Sequence, residues 1–286
     1  MIRFCGACIL CAAVGIPLPT AAQPTPPQPE PQPSITPPVP DAPIPVSPAP
    51  DAAANAAAVL KQMAQAYSAC KSYRDTGTSL TKFLGDNLFE NKIEFKTAFR
   101  RPVDFRFEYT AHGDFMENRM IIHRDKAGTR TWWSIGGGEE NTTIESAIAS
   151  ATGVSSGTAF NVPTMLFPDE VGGCSFPSRE DWTVLPDAQE NDRSCYRLTR
   201  KEQNGDYETI WIDKAISLVM RIDERRTIDG KRGTFVVEQT TLYRPEINID
   251  IPGAELQFNA PAKAPKEPAR NTDSRFLRFL KALVHR

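Results

Sequence analysis

Two hydrophobic periods divide the middle of the chain. Leu60, Met63, Tyr67 and Cys70 recur at spacings of three and four, which predicts one apolar stripe along an N-terminal helix. From Ser72 onward the period changes to two, and short alternating segments are separated by turns rich in Gly, Asn and Asp. This pattern predicts an antiparallel meander with one apolar face.

The meander is interrupted in the middle of the chain. Three consecutive glycines, 136–138, predict a flexible hinge, and residues 142–151 then have the pattern of a helix. A second apolar segment covers residues 159–167 and contains Pro163. Mobile helices beside a sheet with an apolar face are typical of a lid.

Alternation returns near Arg193 and continues through the second half of the chain. Further strands are predicted over residues 195–200, 207–213, 218–227 and 234–243, and an edge strand over 245–258. The chain is therefore expected to be mainly β (α+β), with a curved antiparallel sheet of about eight to eleven strands.

The N-terminus resembles a secretory signal. Arg3 precedes an apolar stretch over residues 4–18, and small residues end at Ala22, so residues 1–22 are expected to be a signal peptide. A lipid anchor on Cys8 is disfavoured because the apolar segment before it is too short. The mature protein is thus predicted to be exported to the periplasm.

Two segments with few apolar residues flank the predicted domain, 51–260. Close to half of residues 23–50 are proline, which predicts a disordered, extended tether; a spacer is favoured over a ligand for a proline-binding partner. Residues 261–286 combine a linker with a basic amphipathic helix. Residues 275–286 could dock on the domain, contact an anionic membrane surface or enter a partner's groove.

Charge and motifs exclude several function classes. The net charge of −2 gives no reason to expect a nucleic-acid partner. His112, His123 and His285 lack metal-ligand spacing, and no phosphate-binding loop or nucleophile elbow is present. We therefore expect no catalytic residue, no metal and no cofactor, and a protein that is not an enzyme.

Three cysteines remain after the predicted signal. Cys174 and Cys195 bracket a loop in a protein expected to reach an oxidising compartment, and they are predicted to form a disulfide. Cys70 lies on the apolar stripe of the helix and is expected to be a buried free thiol. A pairing that involves Cys70 is the alternative.

A series of short motifs appears in a characteristic order. They are Lys71-Ser72-Tyr73, Phe99-Arg100-Arg101-Pro102, Phe105-Arg106-Phe107-Glu108, Leu166-Phe167-Pro168, Cys195-Tyr196-Arg197-Leu198, Trp211-Ile212-Asp213-Lys214, Leu218-Val219-Met220-Arg221 and Thr241-Leu242-Tyr243. Their order resembles the LolA/LolB-like superfamily of periplasmic lipoprotein carriers, and is nearest to a branch of predicted periplasmic proteins. The resemblance covers most of residues 55–260.

The resemblance implies an unclosed β-barrel whose concave face is covered by helices and takes acyl chains. The lipoprotein carrier holds its lid shut with an arginine, and Arg106 lies in the matching strand motif. The Pro-rich tether and the basic C-terminal helix depart from the compact carriers. They favour keeping a second hypothesis, an envelope-associated sensor or scaffold that binds a protein partner with the same fold.

The apolar strand faces supply the candidate lipid-binding residues. One helix and a short lid have to cover many strands, so a residual apolar groove is expected. Ile210 and Ile212 lie on the opposite face of the predicted strand from Trp211, and they remain the alternative lining residues. The expected partner of this monomer is a lipid or an acylated protein, and the candidate lining residues are Phe95, Phe105, Phe107, Tyr109, Met120, Ile122, Trp211, Leu218, Met220 and Ile222.

Overall fold

A computed structural model of the chain describes residues 50–85, 89–113, 118–135, 137–171, 176–230 and 233–260. The expected signal peptide, 1–22, and the Pro-rich segment as far as residue 49 lie outside the described residues. The expected C-terminal linker and helix, 261–286, lie outside them as well.

One sheet contains all the strands of the described residues. The strands are β1 (Ser72–Leu84), β2 (Phe89–Arg100), β3 (Asp104–Gly113), β4 (Asn118–Asp125), β5 (Gly128–Trp133), β6 (Gly137–Thr142), β7 (Thr183–Glu190), β8 (Arg193–Lys201), β9 (Tyr207–Asp213), β10 (Val219–Gly230), β11 (Gly233–Tyr243) and β12 (Glu246–Ile247). The helices are α1 (Pro50–Ala69), α2 (Ile144–Thr152), α3 (Thr158–Asn161) and α4 (Pro163–Leu166).

The strand order confirms the predicted fold class. The main path has eleven strands in the order β6-β5-β4-β3-β2-β1-β11-β10-β9-β8-β7, and the two-residue strand β12 pairs with β1. Neighbours pair antiparallel throughout the described sheet. The outermost strands, β6 and β7, are not paired with each other, so the curved sheet is unclosed.

Two meanders, each formed by strands that are neighbours in sequence, make up the sheet. β1 to β6 form the first meander and β7 to β11 the second, and the pairing of β1 with β11 joins them. Side chains alternate between the two faces of a strand, so each meander presents one apolar face. These faces form the concave side, where the main core lies.

Helix α1 packs on the concave side with the predicted stripe. Leu60, Met63, Tyr67 and Cys70 are all buried in the main core. The Tyr67 hydroxyl accepts a hydrogen bond from the backbone N–H of Val219 at 3.2 Å, which ties the helix to β10. The predicted N-terminal helix is therefore confirmed.

The predicted glycine hinge is wrong over its last two residues. Gly137 and Gly138 belong to β6, where Gly138 pairs with Trp132 of β5. A Cβ atom on Gly138 would lie 2.9 Å from the carbonyl oxygen of Thr131, so glycine permits a close approach of the two strands. Gly136 lies outside the described residues.

Strand β7 was not predicted from the sequence. It contains Pro186, and its register with β8 shifts between Leu185 and Ala188. Proline cannot donate a ladder hydrogen bond, so it is tolerated at an irregularity on an edge strand. That combination conceals the strand from a search for clean alternation.

The predicted edge strand over 245–258 is also wrong, except for Glu246–Ile247. The following residues instead pack against the outer face of the sheet, where Ile251 and Leu256 form a small cluster with Ala98. Ring nitrogen Nε2 of His123 lies 2.9 Å from the carbonyl oxygen of Leu256. This segment covers part of the convex face.

Candidate ligand-binding site

The floor of the candidate site is the concave face of the first meander and its extension into the second. Eight of the ten candidate residues lie in one buried cluster there: Phe95, Phe105, Phe107, Tyr109, Met120, Ile122, Leu218 and Ile222. The Phe95 ring is central, with its centroid 6.3 Å from that of Phe107 and 5.3 Å from that of Tyr243. The sequence pattern therefore brings together most of the predicted lining.

Phe95 owes its position to a glycine on the neighbouring strand. A Cβ atom on Gly77 would lie 2.2 Å from Cζ of Phe95 and 2.4 Å from the carbonyl oxygen of Leu242. Only a residue without a side chain lets the Phe95 ring approach β1 this closely. Glycine at this position therefore shapes the floor.

Trp211 is not on the floor, and its predicted place there is wrong. Its indole N–H donates to Asp223 at 3.0 Å, and the guanidinium groups of Arg197 and Arg221 lie 4.6 and 4.9 Å from its ring. These polar contacts belong to the outer face. The alternative parity holds in β9, because Ile210 and Ile212 are in the core.

Met220 is buried but lies outside the main core cluster. The pairing of β10 with β9 is irregular between Val219 and Arg221, so the alternation of faces breaks at Met220. Val219 and Ile222, on either side of the irregularity, both reach the core. Met220 is thus a poor candidate for the same floor.

The lid is the segment from α2 to α4 together with Phe167. Its core side chains include Ile148, Ala151, Ala159 and Leu166. The ring of Phe167 packs edge-on against two floor residues, with its centroid 5.2 Å from each of the rings of Phe99 and Phe105. The predicted helices therefore cover the concave face.

The expected residual groove is not found over the centre of the floor. Phe105, Phe107, Tyr109 and Ile122 are each 0% exposed. A water-sized space beside any of them would leave exposed surface, so the lid and α1 fill the concave side here. Side chains of the lid and of α1 therefore fill the concave side over the centre of the floor.

Polar contacts attach the lid to β1 and β11, where the two meanders join. The side-chain amide of Gln239 donates to the carbonyl oxygen of Ser156 at 2.8 Å, and the Thr81 hydroxyl donates to the Ser156 hydroxyl at 3.2 Å. Ser156 has a φ of 51° and lies between α2 and α3. The turn between these helices is thereby fixed to β1 and β11.

A second attachment lies at the end of the lid. The Arg124 guanidinium donates to Glu170 at 2.7 Å and lies 5.3 Å from the centroid of the Phe167 ring. Arg106 lies in the strand motif that matches the lid-holding arginine of the lipoprotein carrier. Here it instead pairs with Glu108 on its own strand. Because the neighbouring Phe107 faces the core, Arg106 is on the outer face and does not contact the lid.

A buried carboxylate that sequence reasoning missed lies beside the floor. Asp75 is 1% exposed, and its Oδ2 accepts a hydrogen bond from the Tyr73 hydroxyl. Burial raises the pKa of Asp75 to about 7, although hydrogen bonds from Tyr73 and Thr97 favour the ionised form. The sequence contains a signal for it. Asp75 and Tyr73 are two residues apart in β1, so they lie on the same, inward face of the strand.

The cysteines leave the disulfide prediction open. Cys70 is buried with a free thiol, and burial raises its pKa. Cys195 is also buried, and burial raises the pKa of its thiol to about 11. Cys174 lies outside the described residues, so the predicted Cys174–Cys195 bond remains a prediction.

The described part of the chain contains no group of three or more His, Cys, Asp or Glu side chains placed to hold a metal ion. Among the same residues, no helix has the length and hydropathy that crossing a membrane requires.

Comparison with known proteins gives matches in structure alone. No protein-family model matches the chain, and no curated protein matches it in sequence. A LolA superfamily protein from Nitrosomonas europaea is 10% identical, with a TM-score of 0.20 and coverage of 70% of this chain and 96% of that chain. An outer membrane lipoprotein-sorting protein domain from Vibrio parahaemolyticus is 9% identical, with a TM-score of 0.29 and coverage of 69% and 94%.

The matched structures also include the MucA/MucB complex of Pseudomonas aeruginosa. The identity is 12% and the TM-score 0.38, and the match covers 71% of this chain. This chain spans 61% of the matched chain, which is less than two thirds of its length. The superfamily that the sequence motifs resemble is thus among the structural matches.

Proposed function

We propose that this protein is a non-catalytic binding protein or carrier of the periplasm that takes acyl chains of lipids or lipid-modified proteins. The observation that supports it best is the lid. Phe167 and the apolar side chains of α2 to α4 cover an aromatic floor on the concave face of an unclosed sheet. An acyl chain would bind where these lid side chains now lie.

Such an exchange has a modest energetic cost. An acyl chain that replaces lid side chains on the floor exchanges one apolar contact for another, so the hydrophobic term nearly cancels. α3 and α4 have four residues each, too few to be stable helices without a surface to pack on. The remaining cost lies mainly in the hydrogen bonds to Ser156 and the ion pair of Arg124 with Glu170.

A covalent lock on the lid tests the proposal. The side-chain oxygens of Thr81 and Ser156 lie 3.2 Å apart, so the double variant Thr81→Cys/Ser156→Cys places two thiols where a disulfide can form. We expect the oxidised variant to lose binding of a fluorescent fatty-acid probe and the reduced variant to regain it. Wild-type protein with and without reductant is the matched control.

The outcomes separate the lid from the ligand. If the locked protein binds the probe as well as the reduced protein does, the lid does not gate the site. If neither wild-type nor reduced variant binds the probe, the acyl-chain proposal fails. Native mass spectrometry of protein purified from its own envelope would then show whether any lipid accompanies it.

A second candidate function follows from the filled concave face. Because Phe105, Phe107 and Tyr109 have no exposed surface, the fold is also compatible with an envelope-associated sensor or scaffold that binds a protein partner. In that case the aromatic floor is an ordinary core and the lid never opens. Absence of probe binding together with absence of bound lipid would favour this function.

A further inference from the structure

The inward face of β1 differs from the rest of the floor, because it is polar. Asp75, Ser79 and Thr81 are buried on the side that also bears Tyr73. Two of these polar residues have partners on β11: Ser79 lies 2.9 Å from the Thr241 hydroxyl, and Thr81 contacts Gln239. Asp75 differs from them.

One oxygen of the Asp75 carboxylate has no hydrogen-bond partner. Oδ2 accepts from the Tyr73 hydroxyl and Thr97 also favours the ionised carboxylate, but Oδ1 is buried without a hydrogen-bond partner of its own. A buried polar atom without a partner is costly, and native structures contain few of them. An unpaired oxygen at the edge of a proposed ligand site suggests that its partner arrives with the ligand.

The surroundings of Asp75 place it where α1, the lid and the sheet meet. Tyr67 of α1 packs on Tyr73, with ring centroids 5.6 Å apart. Tyr243 of β11 is also close to Asp75, and its hydroxyl is beside the Asn161 side chain of α3. The Tyr243 ring also contacts Phe95, so the polar pocket around Asp75 borders the aromatic floor.

We propose that Asp75 is the head-group subsite of the acyl-chain site and that its Oδ1 accepts a hydrogen bond from an O–H or N–H group of the ligand. The inference rests on the proposed function and adds the ligand class: a neutral long-chain amphiphile whose head carries a hydrogen-bond donor. A pure hydrocarbon or a simple ether would leave Oδ1 unpaired. Movement of α3 would admit the head group.

Stability alone does not explain a carboxylate at this position. A hydrogen-bonded asparagine or an apolar side chain would avoid the cost of burying an ionisable group. Groups whose ionisation is opposed by burial and that border a cleft are often functional. Burial opposes the ionisation of Asp75, and its carboxylate also carries a buried oxygen without a hydrogen-bond partner.

The test compares two ligands that differ in one donor, dodecanol and dodecyl methyl ether. Each competes with an uncharged fluorescent long-chain alcohol probe at about pH 8, where Asp75 is largely ionised. A hydrogen bond to a charged group corresponds to roughly ten- to hundredfold in affinity, so wild-type protein should prefer the alcohol by that factor. In Asp75→Asn the preference should fall to about twofold or less, because an amide N–H can donate to either oxygen.

Ser79→Ala is the matched control. It removes a buried hydroxyl from the same face of the same strand, but that hydroxyl is already paired with Thr241. The preference for the alcohol should survive in this variant. Circular dichroism of all three proteins establishes that each is folded.

Two results would overturn the inference without touching the proposed function. One is a wild-type protein that binds both ligands equally well, and the other is an Asp75→Asn protein that keeps the full preference. If wild-type protein binds neither the probe nor either ligand, the proposed function itself has failed. The experiment thus distinguishes a wrong head-group subsite from a wrong site.

Discussion

Replacement of Asp75 by asparagine should stabilise the ligand-free protein at alkaline pH. The folded pKa of Asp75 is about 7 and the unfolded value is 3.8, so the folded state holds its proton more tightly. Stability that is present below the unfolded pKa is therefore lost as pH rises towards the folded pKa. Three pKa units correspond to about 4 kcal/mol, which is the full cost of ionising Asp75 above pH 7.

The pH dependence of the difference is the sharper quantity. Asparagine does not titrate, so any change in packing that it causes is the same at every pH. Between about pH 5 and about pH 8, the free energy of unfolding of Asp75→Asn should rise by about 3 kcal/mol relative to that of wild type. Only the range below the folded pKa contributes, which is about two pH units at about 1.4 kcal/mol each. Urea unfolding of both proteins at the two pH values measures it.

Ser79→Ala again serves as the control, and its difference from wild type should not change with pH. Parallel stability curves for Asp75→Asn and wild type would refute the reasoning. They would mean that Asp75 ionises in the folded protein as it does in water, because it is exposed or because hydrogen bonds compensate in full for its burial. The head-group subsite would then lose its main physical support.

Other predictions concern the floor, the outer face and the cysteines. Phe107→Ala should cost about 3–5 kcal/mol in urea unfolding, because the closed floor is packed as a core; a loss below about 1 kcal/mol would show that the floor is open in solution. Burial lowers the pKa of His123, so its contribution to stability is present above about 6.5 and is lost as pH falls. His123→Gln should flatten that acidic slope, and an unchanged slope would contradict the assignment. Non-reducing peptide mapping should find a bond between Cys174 and Cys195 and a free Cys70; a crosslink to Cys70 would reject this pairing.

Alternation of apolar and polar residues predicted most of the floor, and physical irregularities explain where it did not. β2 and β3 pair without interruption, and their inward residues, Phe95 and Phe105 among them, were identified correctly. In β9 the parity was assigned to Trp211, since the sequence does not show that two arginines cover that ring on the outer face. Large aromatic residues are placed by their neighbours as well as by their hydrophobicity.

The packing of the lid and the buried carboxylate were not predicted from the sequence, for two different reasons. The helical pattern of the lid was predicted, but whether it fills the concave side depends on tertiary packing, such as the position of Phe167 between Phe99 and Phe105. Asp75 lies in a predicted strand and belongs to no recognisable motif. A polar residue on an inward parity is a signal that pattern reading can use, provided the strand's neighbours on both sides are known.

The junction between the two meanders has a consequence for the order of folding. Ser79 and Thr241 face each other across it, although they are 162 residues apart in sequence. Hairpins within each meander can form early from local contacts, whereas the β1–β11 ladder must wait for the closure of a very long loop. Until then β1 is an exposed edge, and an exposed edge can recruit other chains. Its buried serine, threonine and aspartate make it a poor partner for intermolecular pairing during this interval, so residues that weaken the finished core protect the protein while it is being assembled.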